Sequence, residues 1–315
     1  VPLAPVPVPG AVYQSGDPDL GGDLTGISWD TIPNRQATSA QQLAEQYNIC
    51  ARSTSLVDTA AGQILRATIT PEQLKGPGST RFQMDGCNAS VILSRSPVLS
   101  VTGGQVAPAI PPLQWTPIPA DMIVIDSPPL GLYGTGVPSD AGEYGQSVTV
   151  GGGYIPFWSG RNSCFLQLTY VNGWPHCSLT ADSAAGATSV SVDDCTGWGP
   201  PAGSPAGAAG TVYDPGGSGY QESAAVLSAS AASGPGTLTL ATGLTWPHTA
   251  GIIFSALPGQ LHWASILFGV SQALTRGATA TTVQTISPSG AKTSDGAEGL
   301  HKHACGLVHA YKRIW

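Results

Sequence analysis

Ser189-Val190-Ser191-Val192-Asp193 opens the stretch that decides the architecture. Gly210-Thr211-Val212-Tyr213, Ala224-Ala225-Val226-Leu227, Thr237-Leu238-Thr239-Leu240 and Gly251-Ile252-Ile253-Phe254 continue it. Side chains of a strand alternate between two faces, so a period of two marks half-buried strands. Five such runs separated by Gly, Pro and Ser turns predict a small β-sandwich or barrel. Trp174-Pro175-His176 precedes the stretch and Leu257-Pro258 follows it, after which helical spacing resumes. Residues 178–256 therefore read as an all-β, sandwich-like domain inserted into another fold.

Around this insertion the pattern changes. Ser39 and Gln42 have capping-box spacing ahead of a helix marked by Leu43, Tyr47, Cys50 and Ala51. A second short helix is expected through Leu56 and Ala60 to Gly62, and Thr70-Pro71-Glu72 reads as a further helix start. From Arg81 the period is two. Arg81–Met84 and Ser90–Leu93 flank an Asp85-Gly86 turn and predict a hairpin. Strands are expected at 97–101, 122–125, 147–150 and 165–170. Beyond the insertion, Pro258 opens a helix with Leu261, Ala264, Leu267, Phe268, Ser271 and Leu274 on its buried face, stopped at Gly277. The fold class is α+β, in four parts. Residues 1–37 form a Pro-rich arm, and residues 38–177 with 257–286 form a helical/β core. Residues 178–256 are the inserted domain, and 287–315 are a linker and amphipathic helix.

Composition narrows the function. The 315 residues include 41 glycines and 27 prolines, and charged residues are only 10%, against roughly 25% in ordinary soluble domains. A surface so poor in charge favours association. Between Arg95 and Arg276 the sole basic residue is Arg161, among nine acids. Such a stretch cannot hold a phosphate backbone by counterion release. No apolar run is long enough to span a membrane. Val1-Pro2-Leu3-Ala4-Pro5-Val6-Pro7-Val8-Pro9 reads as an extended polyproline-like arm rather than a signal peptide. The six cysteines contain no CxxC pair and read as thiols, with Cys177 and Cys195 the candidate disulfide because they flank one small module.

Catalytic motifs are missing. There is no G-x-S-x-G elbow. Asp193 and Asp194 are adjacent, so on a strand they face opposite ways and read as a strand-end turn. Gly151-Gly152-Gly153 lacks the Gly-Lys-Ser/Thr ending of a phosphate loop. The chain is read as a non-enzyme without cofactor. The metal candidate is His301, Cys305 and His309, which recur every four residues on one helical face, although zinc normally takes four ligands. The same helix has an apolar stripe of Leu300, Ala304, Leu307, Val308, Tyr311 and Trp315, followed by Lys312 and Arg313. Leu300, Leu307, Val308, Tyr311, Lys312, Arg313 and Trp315 are the candidate docking residues, serving the chain's own fold or a partner.

Three stretches carry a resemblance: Ser94-Arg95-Ser96-Pro97-Val98-Leu99-Ser100-Val101, residues 153–162 from Gly153 to Asn162, and Leu168-Thr169-Tyr170-Val171-Asn172-Gly173-Trp174-Pro175-His176. With two early helices and a closing helix, this order resembles the head–tail connector (adaptor) proteins of long-tailed bacteriophages, over residues 38–177 and 257–286. The inserted segment resembles small β-modules of phage structural proteins. The resemblance implies a ring of about twelve subunits in the virion neck, assembled in the bacterial host cytoplasm. It implies a portal protein on one side, a stopper or tail protein on the other, and genomic DNA passing through without specific binding. The competing readings are a stopper, minor tail or decoration protein, or a secreted carbohydrate-binding β-protein presenting some of its eight tryptophans.

Overall fold

A computed structural model describes residues 39–76, 81–85, 88–125, 147–151, 163–200, 207–213, 221–275 and 297–312. The expected arm at 1–37, the 153–162 stretch, Cys87, Gly277, Arg313 and Trp315 lie outside the described residues. The molecule is a mixed α+β protein with antiparallel sheets and, among the described residues, three α-helices.

Helix α1 runs unbroken over Ser39–Ala61. The sequence suggested two helices here. No glycine or proline interrupts the span, so nothing splits it, and Gly62 ends it with φ 69°. Ile49, Cys50, Val57 and Ala61 form its described apolar stripe.

The expected helix at Thr70-Pro71-Glu72 is instead strand β1, Thr68–Gly76. It pairs along its whole length with strand β8, Cys164–Asn172, with Pro71 opposite Thr169. β1 is an edge strand, where a residue lacking its N–H can face away from the ladder. Cross-strand pairing outweighs the helix-start signal.

The strands that follow are β2 (Phe82–Asp85), β3 (Asn88–Ile92), β4 (Val98–Pro108), β5 (Thr116–Ile118), β6 (Ile123–Ile125), β7 (Ser147–Val150) and β8 (Cys164–Asn172). The hairpin expected from Arg81 onward is present, with Asp85 opposite Asn88. Two four-stranded sheets result, ordered β1-β8-β4-β5 and β2-β3-β7-β6. Their inner faces share one core, including Leu74, Phe82, Val91, Val106, Val148, Leu166, Leu168 and Tyr170. This is a sandwich, and it lies in residues 68–172.

The inserted segment forms a different object. Strands β9 (His176–Ser178), β10 (Ser189–Val192), β11 (Ala209–Tyr213), β12 (Gln221–Ala229), β13 (Gly236–Leu240) and β14 (Ile253–Ser255) make a sheet ordered β10-β13-β12-β11-β14-β9. The two ends of that order also meet. Leu179 bridges Val192, Thr180 N–H donates to Ser191 O at 2.9 Å, and Asp193 N–H donates to Ser178 O at 3.1 Å. The sheet therefore closes on itself as a small barrel, which leaves no free edge. The sandwich-like expectation is corrected here, because residues 176–180, on the border of the segment, supply the closing pairing. Trp198 stacks on Phe254 inside, with ring centroids 4.2 Å apart.

Helix α2, Gly259–Thr275, is buried on nearly every described face, with Trp263 exposed. An all-round apolar helix belongs inside. It packs against α1, where the Ser53 and Ser265 hydroxyls meet at 3.3 Å, and against helix α3, Ala297–His309. The barrel and all three helices share a single core. The cores thus follow a different division from the linear segments: sandwich on one side, barrel plus helices on the other.

Gly173 joins the two. Its φ is 94°, and a Cβ there would stand 2.4 Å from Arg66 O and 2.6 Å from Leu65 O. Its N–H donates to Pro97 O at 2.9 Å, Trp174 N–H donates to Leu65 O at 2.8 Å, and Ala67 N–H donates to Trp174 O at 2.7 Å. The Gly173-Trp174-Pro175 motif is thus a backbone knot between sandwich and barrel.

Candidate functional site

The described polar side chains that cluster in the interior bind other parts of the chain. Glu72 faces the sandwich core from β1. One oxygen pairs with Arg81. The other accepts from Ser94 N–H at 3.0 Å, Ser94 Oγ at 2.9 Å and Tyr170 OH at 2.7 Å. Burial pushes the Glu72 carboxyl up, but these donors outweigh it and hold it below its ordinary value. Burial and the neighbouring Glu72 charge push the Tyr170 hydroxyl far above the usual phenol range. A carboxylate with its acceptor sites filled is a poor general base.

Glu222 on β12 accepts from His248 Nε2 at 2.7 Å, Thr245 N–H at 2.6 Å and Trp246 N–H at 3.1 Å. His176 Nδ1 contacts Ser255 Oγ at 2.8 Å. Asp193 accepts from Ser178 N–H. Asp194 accepts from Thr196 N–H, Thr196 Oγ1 and Gly234 N–H, which is the turn role expected of this pair. Cys177 and Cys195 are free, buried thiols rather than a disulfide. Burial is the main cause that pushes both above the ordinary thiol range.

The terminal helix α3 docks on the chain's own fold. Ala304 and Val308 are fully buried, and Leu300, Cys305, Leu307 and Tyr311 pack half-buried against the same core. Tyr311 meets Trp174 edge-on at 5.6 Å, and Gln63 Nε2 donates to Tyr311 O at 3.2 Å. Lys312 is exposed. His301 and His309 are exposed, with His301 edge-on to Phe268 at 5.0 Å. Among the described residues no group of three His, Cys, Asp or Glu side chains is arranged to hold a metal ion.

Among the described residues, two strand edges carry exposed apolar side chains nearby. β5 and β6 are edge strands of the two sandwich sheets and are joined by the short 3-10 turn Ala120–Met122. Val124 on β6 is 57% exposed and Met122 in the turn is exposed, and in the β4–β5 connection Ile110 is 62% exposed with Leu113 also exposed. Open edge strands with apolar side chains are templates for pairing with another chain. Sequence reading placed a strand at 122–125 but missed this surface. Ile123, Val124 and Ile125 look equally core-like in sequence, and only the sheet order makes Val124 an outward residue. A second feature is a cleft of about 370 Å³ between sandwich and barrel, lined by Leu99 and Val171 on one wall and Gly197, Gly199, Ala229 and Ala231 on the other.

No family model matches the chain, and neither a curated protein nor a solved structure does.

Proposed function

We propose that the chain is a non-enzymatic structural subunit of a phage virion. In this reading it is a head-to-tail adaptor whose copies form a ring of about twelve between the portal and a stopper or tail protein. One observation carries the proposal: among the described residues the outer edges of β5 and β6 have no strand partner, and the apolar side chains Ile110 and Leu113 of the β4–β5 connection, Met122 and Val124 are exposed. Burying a whole Val or Ile side chain is worth roughly 1.5–3 kcal/mol. Four half-exposed apolar side chains therefore leave several kcal/mol for neighbouring copies to gain. The saturated partners of Glu72, Glu222 and Asp194 also favour a scaffold over an active site. A channel wall poor in Lys and Arg would let DNA pass without adhering.

Negative-stain images of the native particle test this. Class averages with rotational symmetry near twelve at the neck, labelled by an antibody to this chain, are the expected result. Label elsewhere on the virion would favour a stopper, tail or decoration role, and a solitary chain with no particle would overturn the proposal. A carbohydrate-binding reading is favoured by one observation, the exposed Trp246 on a loop clasped by Glu222. A glycan array separates it.

A further inference from the structure

Charge is divided unevenly over the molecule. Residues 178–256, which form most of the barrel, contain five acids and neither Lys nor Arg. Helix α3 carries the reverse. While Ala304 and Val308 are buried in the chain's own core, the outer face presents His301, Lys302, His303, His309 and, just past the helix end, Lys312, all exposed. Lys302 pairs with Glu298 on the same helix, both side chains lying largely in solvent, and among the described residues no carboxylate pairs with Lys312. One rim of the barrel is complementary to this face. Its loop 245–250 is clamped at both ends by carboxylates. Glu222 accepts from Thr245 N–H at 2.6 Å and from Trp246 N–H at 3.1 Å, and Asp182 Oδ1 accepts from Ala250 N–H at 2.8 Å. Ser183 and His248 exchange backbone bonds of 2.8 and 2.9 Å beneath it. Asp182 is exposed, and Trp246 stands 38% exposed between the clamps. Burial pushes the Glu222 carboxyl up, but the loop amides and the His248 ring outweigh it and hold it below its ordinary value, so it stays charged. Two carboxylates and an exposed indole on a fixed loop are suited to a cation, by Coulomb attraction and by the cation–π contact that Trp makes best.

We infer that helix α3 of one copy docks, through Lys302 and Lys312, on the rim of a second copy formed by Asp182, Glu222 and Trp246. The inference rests on the reading of the chain as a self-associating subunit and adds a contact separate from the β5 and β6 edges. Among the described residues neither lysine reaches a barrel carboxylate of its own chain, so the complementary surface is met only on another copy. Two lysines are too few to hold a nucleic acid by counterion release. Helix and rim are different patches of one molecule, so the contact is head-to-tail. Each copy then keeps a helix or a rim open for the next, which is the geometry that closes into a ring or continues as a filament.

Sedimentation of the full chain at low salt tests it. One variant carries Lys302→Gln and Lys312→Gln. The other carries Trp246→Ala and Asp182→Asn, which keeps an acceptor for Ala250 N–H. Each should weaken self-association by roughly fivefold or more, the loss expected from two exposed charge contacts, with an unchanged circular dichroism spectrum. Mixing the two, one of them fluorescently labelled, should restore a mixed pair, because one supplies an intact rim and the other an intact helix. Raising the salt from about 50 to about 500 mM should weaken the wild-type pair by a similar factor, which needs no variant to fold. Association indifferent to salt, unchanged in either variant, or not restored by mixing would overturn this contact while leaving self-association standing. A wild-type chain that does not associate at all would overturn both the contact and the reading beneath it.

Discussion

The Tyr170 hydroxyl donates to Glu72 Oε2 at 2.7 Å across neighbouring strands of the sandwich. Glu72 stands opposite Leu168 in the β1–β8 ladder, so Tyr170 is its diagonal neighbour on the inward face. The pair ties β1, the β3–β4 connection at Ser94 and β8 into one unit. Glu72→Gln keeps the size but removes the charge facing Arg81. We expect a loss of roughly 2–4 kcal/mol, since breaking a buried ion pair on one side strands the other. Tyr170→Phe should cost about 1–2 kcal/mol. Urea unfolding of the three proteins measures both.

The same carboxylate predicts an acid response. Its folded-state value lies below its unfolded one, so its contribution is fully present above the unfolded value, near ~4.3, and is lost as pH falls through the folded value. Wild-type stability should therefore decline below about pH 5, and Glu72→Gln should decline less steeply over that window. Parallel slopes for the two proteins would count against this role for Glu72.

Gly173→Ala places a methyl group against the carbonyls of Leu65 and Arg66 at a left-handed φ. The knot between sandwich and barrel would have to shift, at a cost of more than 2 kcal/mol, as expected for a strained backbone site in close contact. Hydrogen exchange should quicken at Trp174 and Ala67, whose N–H groups are held in the same knot.

At the barrel rim, Glu222→Ala removes the acceptor for Thr245 N–H, Trp246 N–H and the buried His248 ring. About 2–3 kcal/mol should be lost. The change should be visible as altered tryptophan emission from the released Trp246 loop.

Val124→Lys places a charge on the open edge of β6. Natural edge strands use Lys in this way to block pairing. Self-association measured by sedimentation should fall at least tenfold while monomer stability stays within about 0.5 kcal/mol, the usual range for surface changes. Unchanged association would remove β6 from the contact.

The five alternating runs of residues 189–254 appear where their period of two put them, and Pro258 and Leu300–Tyr311 lie at helices as their spacing implied. The apolar stripe of the terminal helix was legible too, but its destination was not. Val308 faces the chain's own core, and nothing in a one-dimensional stripe distinguishes self from partner. Thr70-Pro71-Glu72 misled because a helix-start signal is local, whereas β1 is held by a ladder to residues about a hundred positions away.

By itself the sequence determined composition, periodicity and chemical poverty: strands and helices of a given kind, few charges, and no motif for catalysis. These are properties of neighbouring residues, set by side-chain alternation and backbone preference. Tertiary structure alone decided that the inserted strands close into a barrel and that the sandwich lies in residues 68–172. It also decided that Glu72 finds Arg81, Ser94 and Tyr170, and that Val124 is left uncovered. Each of these depends on which distant segments meet, and pairing between distant segments is governed by packing and ladder hydrogen bonds that no local pattern contains.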